Sequence, residues 1–262
     1  MPESMLLLAI DTCGPSGSVA LGRLSGQFVE ILGQIELAGR SYSATLVAAV
    51  EELLVPGGAT LREVGAIVAV NGPGSFTGVR VGLSAVKGLA EAARIPVAAV
   101  SRLEVLAWKA GVPSDRSSSL ACMAGVPSAA LDAHRHEVFL RLDEQEGRVP
   151  QVPILGPGKS HLSTGHSYRE LLAGVHELAD LSHPPLRIAV CDDAGAALLA
   201  SAWPAAQLVR TLAPTAADAL QLCAGRVAAG EFVDVALLDG HYLRRSDAEI
   251  FGEPATAEPR GA

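Results

Sequence analysis

The chain has 262 residues, 49% of them hydrophobic and 18% charged, with positive mean hydropathy, which is enough apolar material for a real core and too much for a disordered chain. Length alone leaves one large domain or two small lobes open. Lys and Arg total 20 against 28 Asp and Glu, a net charge of −8 with no basic run longer than Arg244-Arg245, so RNA binding by this chain alone is disfavoured. Aromatics are only 4%, so core and interfaces must rest on close packing of Ala, Val, Leu and Ile.

The first ten residues form a short apolar run with Glu3 before it and no basic start, which reads as a buried strand and not a secretory leader. A strand is expected over 5–10, then a polar turn from Asp11 to Gly17, with further strands at 18–24 and 28–37. Pro15-Ser16-Gly17 supplies the dihedrals of a hairpin reversal. Ser41 begins a helix predicted over 41–55, with Leu46, Val50, Leu53 and Leu54 at helical spacing and Pro56-Gly57-Gly58 stopping it. One helical turn at 61–64 leads into a strand at 66–70, a glycine-rich loop at 71–75, a long helix over 76–94 and a strand at 97–100. Ser101 then caps a helix over 102–110.

The Pro/Ser-rich stretch 113–119 reads as a mobile connection, and the pattern restarts beyond it. Residues 120–126 are apolar, 129–133 lead through His134-Arg135-His136 to an alternating strand at 137–142, and 147–158 is Pro-interrupted. A helix is expected at 168–178, a strand at 186–191, a loop at 192–195, a last helix at 216–229 and a tail at 239–251. Residues 252–262 read as disordered. Hairpin-then-crossover order, met twice, implies two α/β lobes: 1–102, with 216–229 packing back on it, and 103–215. Cys13, Cys122, Cys191 and Cys223 contain no C-x-x-C pair and read as small hydrophobes in a reducing compartment. No apolar run approaches the roughly 20 residues that span a membrane, and a cytoplasmic location is expected.

Residues 70–88 hold the most information. Gly72 and Gly74 permit close backbone approach, and Ser75 and Thr77 are placed to cap a helix whose free N–H groups favour an anion. The loop is neither a P-loop nor a dinucleotide fingerprint, and a plain strand-to-helix turn stands beside the anion reading. Within the helix, Gly82, Ala85, Gly88 or Leu89, and Ala92 recur at three- and four-residue steps. Interior glycine costs roughly 1 kcal/mol, so these positions need a packing reason, in this chain or in another.

Asn71-Gly72-Pro73-Gly74-Ser75-Phe76-Thr77-Gly78-Val79-Arg80 resembles the signature of the TsaB (YeaZ) family of tRNA threonylcarbamoyladenosine biosynthesis proteins. Leu8 to Thr12 with Ser18 to Leu21, Leu131 to Phe139, and Tyr242-Leu243-Arg244 with Asp247-Ala248-Glu249 are similar to further stretches of that family. The resemblance implies the two-lobed actin/Hsp70/sugar-kinase (ASKHA) fold with duplicated mixed-sheet lobes. It also implies a catalytic paralogue, TsaD, with a His-x-x-x-His metal site after the corresponding helix. Here Arg102 and Leu106 stand at those two positions, and neither replaces an imidazole, so no metal is expected.

The role so implied is a scaffold with no catalytic residues and no cofactor bound by the chain alone, ATP or ADP entering only within the complex. It binds TsaD through the helices 41–55 and 76–94, with Leu46, Val50, Leu53, Arg80, Gly82, Ala85 and Leu89 at the contact. The ATPase TsaE joins that heterodimer, TsaC is linked in function, a homodimer can use the same face, and tRNA is met only through the complex. Asp11, Thr12, Gly72, Gly74, Ser75 and Thr77 form the possible anion or nucleotide loop, with Asp11 otherwise serving its own turn. The alternative is an ATP-dependent kinase or transferase of the same superfamily that uses Asp11 and this loop. His134 and His136, two apart, would share a face if on a strand, but no third ligand is evident near them, and no Ser-His-Asp arrangement is legible.

Overall fold

The computed structural model describes residues 4–39, 41–111, 128–143, 168–181 and 184–244. The expected connection at 113–119, the apolar stretch 120–126, the Pro-interrupted stretch 147–158 and the tail 252–262 lie outside the described residues. So do Cys122, His161, His166, His183 and the segment Asp247 to Glu249.

Two five-stranded mixed sheets follow the same path through the chain. The first combines β1 (Met5–Asp11), β2 (Ser16–Ser25), β3 (Phe28–Ala38), β4 (Val64–Val70) and β5 (Val97–Val100) in the order β3-β2-β1-β4-β5. The second repeats that order as β8-β7-β6-β9-β10, with β6 (Ser128–Asp132), β7 (Glu137–Asp143), β8 (Tyr168–Gly174), β9 (Arg187–Val190) and β10 (Gln207–Arg210). In each sheet the first three strands are an antiparallel meander and the crossover strand pairs parallel to the first. The two lobes are thus topological copies, an α/β architecture with duplicated mixed sheets.

Leu7, Leu8, Ala9 and Ile10 of β1 are all buried, without the alternation of a one-sided strand, because helices cover both faces of the sheet. On one face Tyr42 of α1 (Tyr42–Leu54) closes over Gly17, and α2 (Phe76–Ala93) packs beside α1. On the other face Leu220 of α6 (Ala216–Ala228) lies over Gly22, a β2 position of opposite parity.

The third helix of each half is exchanged. Helix α3 (Arg102–Gly111) leaves β5 of the first sheet but packs on β6, β7 and β9 of the second. Helix α6 follows β10 yet packs on all five strands of the first sheet. Accordingly Leu103, Leu106 and Ala107 belong to the core around Leu131 and Phe139, while Leu220, Cys223 and Val227 belong to the core around β1. The two exchanged helices meet at Lys109–Asp218, 2.7 Å apart, and at Arg226–Glu104.

Three elements differ from expectation. Residues 168–178 are not one helix: Tyr168–Gly174 pair with β7 along its whole length, and only α4 (Val175–Asp180) is helical. Arg169, Glu170, Leu171 and Leu172 favour helix locally, and cross-strand pairing overrides that preference. The expected loop 192–195 instead opens α5 (Asp193–Ala202), capped by the Asp192 carboxylate on the Gly195 amide at 2.6 Å. Short β10 gave no sequence signal because it is held only by four parallel pairs to β9.

A C-terminal strap closes the structure. His241 donates its amide to Asn71 O at 2.7 Å, on the first lobe, while its Nε2 lies 2.9 Å from Glu170 Oε2 on β8. Ser101, between the lobes, donates to the same oxygen at 2.7 Å, and Arg141 bonds the other at 2.8 Å. Burial alone would raise the Glu170 carboxyl, but the hydrogen bonds from His241, Ser101 and Arg141 outweigh it and hold the group below its ordinary range.

Leu220→Ala should lower stability by about 2–5 kcal/mol in denaturant unfolding, since it opens a cavity between β2 and the exchanged helix. A loss well under 1 kcal/mol would show that α6 is not integral to the first lobe. The lowered Glu170 pKa contributes stability present above about pH 4.3 and lost as pH falls through the lower folded value. Glu170→Gln should therefore be less stable at neutral pH and show a shallower acid-side decline. Parallel stability–pH curves for the two proteins would contradict this.

Candidate functional site

The end of β1 and the start of α3 meet in the interior. Asp11 accepts the Cys13 amide on Oδ1 at 2.8 Å, and Arg102 Nε lies 3.3 Å from Asp11 Oδ2, both side chains at least nine-tenths buried. Burial alone would pull the Arg102 pKa down; Asp11 beside it, with Cys13 and Cys191 near, outweighs that and raises it. Burial, reinforced by Asp11, also pushes the Cys13 thiol well up, which keeps it protonated and donating to Val70 O at 3.3 Å. The turn-holding role of Asp11 is legible in the sequence, but its partner 91 positions away is not. The available signal was an arginine next to the apolar residues Leu103, Val105, Leu106 and Ala107 of a buried helix face.

The glycine-rich loop is packed tightly against that turn. A Cβ at Gly74 would sit 2.1 Å from Cys13 O, and Ser75 donates its amide to that oxygen at 2.7 Å. Ser75 Oγ accepts the Gly78 amide at 3.2 Å as the helix cap, while Thr77 is exposed. Gly72 has φ +113, open only to glycine at low cost, and its carbonyl accepts the Arg102 amide at 2.6 Å. Thr12 is buried and donates to Gly78 O at 2.7 Å. Asp11 and Thr12 are thus committed to the chain's own contacts, and the loop is a structural junction as much as a ligand loop.

Opposite this junction, on the second sheet, lies the turn after β6. His134, Arg135 and His136 all have φ between 56° and 61°, a left-handed run that strains non-glycine residues. The two histidines sit in the link between β6 and β7 and not on a strand, so the condition for a shared face is not met; His134 Nδ1 lies 2.9 Å from Asp132 Oδ2. Asp192 Oδ2 accepts the Asp132 amide at 3.1 Å, joining this turn to the cap of α5. Between the two junctions is a cleft of about 980 Å³, reached by Gly14, Gly74, Phe76, Arg102, Asp132 and Tyr242 among others. Among the described residues no cluster of three or more His, Cys, Asp or Glu is placed to hold a metal ion. Leu106 is fully buried in the second core.

The expected contact residues on α1 and α2 divide into two sets. Leu46 and Val50 are buried in the first core, and a Cβ at Gly82 would meet Thr12 Oγ1 at 2.1 Å. These three are used inside the chain, because their helix faces point at the sheet, and they are corrected as contact residues. Leu53, Ala85 and Leu89 are half-buried at the edge of that core, and Arg80 lies over the Phe76 ring, 3.8 Å from its centroid. Outward stand Ala44, Val47, Ala48, Ser84, Gly88 and Ala92, a face sequence spacing did not separate from the inner one.

A family model described as TsaD, tRNA N6-adenosine threonylcarbamoyltransferase, matches residues 32–153. The chain is 34% identical over 138 residues to the Escherichia coli K12 protein described as tRNA threonylcarbamoyladenosine biosynthesis protein TsaB, covering 52% of this chain and 53% of that one. It is likewise 34% identical over 149 residues to the Bacillus subtilis 168 protein of the same description, covering 56% and 59%. The chain spans about half the length of the curated relatives it matches. The solved structure of YeaZ from Pseudomonas aeruginosa superimposes with a TM-score of 0.64 at 27% identity, over 91% of this chain and 100% of that one. Sequence likeness over about half of the chain and a fold shared over nearly all of it converge on the TsaB/YeaZ proteins as what this chain resembles.

Proposed function

We propose that this chain is the non-catalytic scaffold and activator subunit of the bacterial complex that makes N6-threonylcarbamoyladenosine at position 37 of tRNA, and that it binds the catalytic paralogue TsaD. The observation that carries the reading is Gly88. It lies in the interior of α2, where glycine costs roughly 1 kcal/mol relative to alanine, and apart from its own stretch of helix no described residue comes within 4 Å of where its Cβ would be. Gly82 has an internal reason in Thr12; Gly88 has none, so its missing side chain fits a close approach by another chain. Val47, 51% exposed on the neighbouring helix, adds apolar area to that face.

Arg102 supports the absence of catalysis. Resemblance to TsaD puts a metal ligand there, and an arginine whose Nε is tied to buried Asp11 offers no lone pair. In this reading residues 1–102 with 216–229 form the partner-binding lobe and 103–215 the second lobe. The same face pairs two copies of the chain when TsaD is absent. TsaE joins the heterodimer, TsaC-type enzymes supply the activated threonylcarbamoyl group, tRNA is met only through the complex, any ATP or ADP belongs to the complex, and the whole works in the cytoplasm.

Gly88→Arg separates partner binding from folding. It should leave the isolated chain as stable or up to about 1 kcal/mol more stable, because arginine is the better helix former and the site is open. The same variant, co-expressed with the cognate TsaD, should elute apart from it on gel filtration, as should Ala85→Arg. Wild-type co-elution of Gly88→Arg would overturn the interface, and unchanged tRNA modification after depletion of the chain would overturn the function.

A further inference from the structure

We infer that the cleft between the two sheets binds a small molecule through an oxyanion, a carboxylate or phosphate carried on an apolar body, with Arg102 as the anchor. This goes beyond the scaffold role and does not depend on it. The Arg102 side chain is only 7% exposed, and its single ion pair uses Nε. Nη1 and Nη2 make no hydrogen bond among the described residues, yet the residue lines the cleft. Nη2 lies over Gly14, another lining residue, where a Cβ would stand 2.4 Å from it. The glycine therefore makes room for the guanidinium itself at the wall of the cleft. Charged donors left without acceptors in such a site are costly, and a planar fork matches two oxygens of a carboxylate or phosphate.

A second feature converges on the same space. Helix α2 has 18 residues, and Gly74, Ser75 and Phe76 at its N-terminus line the cleft. The Ser75 and Gly78 amides are satisfied by Cys13 and by the cap, whereas those of Phe76 and Thr77 have no partner among the described residues. Free amides at the positive end of a helix reinforce a cationic side chain toward an anion.

The remaining walls set the rest of the ligand. Phe76 and Tyr242, with ring centroids 4.8 Å apart, and Leu131 and Phe139 offer apolar surface, and about 980 Å³ is far more than a bare ion fills. Asp132 and Asp192 stand on the second-sheet side with their oxygens accepting from the His134, Gly195 and Asp132 amides. They keep the anionic end on the Arg102 side and favour donor groups at the far end.

The test is calorimetric titration of the full chain with benzoate and, separately, inorganic phosphate, on wild type and on Arg102→Lys, which keeps the charge beside Asp11 but loses the fork. At least one probe should saturate, and the lysine variant should bind it at least about tenfold more weakly. Benzoate binding alone identifies a carboxylate ligand; phosphate binding identifies a phosphoryl one. Should Arg102→Lys not fold, wild type decides through Cys191, a half-buried lining residue whose alkylation by iodoacetamide should slow when the probe is bound. Absence of saturation with either probe up to about 10 mM would overturn the site. So would equal binding by the variant, or Cys191 alkylation indifferent to a saturating probe.

Discussion

The Asp11–Arg102 pair is the constraint on which the rest depends, because it fixes where one lobe ends and the other begins. Asp11 closes the central strand of the first sheet, and Arg102 opens the helix that crosses to the second. Taking two charges out of water is expensive, and such a pair is weak evidence of stability. Its value is geometric. The guanidinium must meet the carboxylate, so α3 can start only where its next residues, Leu103 and Leu106, are delivered to the second core. The amide of Arg102 on Gly72 O and that of Asn71 on Val100 O bind the glycine-rich loop into the same joint.

That joint explains why the two lobes work as one body although each has its own sheet. Helices α3 and α6 are exchanged, so neither sheet is covered without a segment that follows the other. The strap at His241 adds a polar tie, with Glu170 bonded at once to Ser101, Arg141 and His241. Exchange of apolar helices supplies the burial and the Glu170 network supplies direction. The cleft lies between the two repeated turn junctions.

Much of the first lobe was legible because its signals are local: continuous apolar strands, a serine cap at Ser75, glycine stops after α1. The duplicated lobe was legible as an order of elements but less so in detail. Residues 168–174 failed because their helix preference is outvoted by pairing with β7, and α5 failed because Asp192-Asp193-Ala194-Gly195 has the composition of both a loop and a capped helix start. The link through His134, Arg135 and His136 was legible, but its left-handed backbone was not, because three successive left-handed residues cannot be foreseen without glycine to mark them. The Asp11–Arg102 contact was invisible for a different reason: nothing in spacing predicts a partner 91 residues away.

The glycines of α2 show why spacing alone could not divide inner from outer surface. Gly82 and Gly88 are six residues apart, so at about 100° per residue they stand roughly 120° apart around the helix, on different faces. Both break the same local rule at the same cost, and the sequence reads them as one stripe. Structure separates the causes: Gly82 yields space to the Thr12 hydroxyl, while Gly88 faces open solvent. Helix propensity alone gives no reason to keep the second glycine, since almost any residue there would strengthen α2. A cost borne by the isolated chain with no return among the described residues is the physical observation on which the proposed partner interface rests.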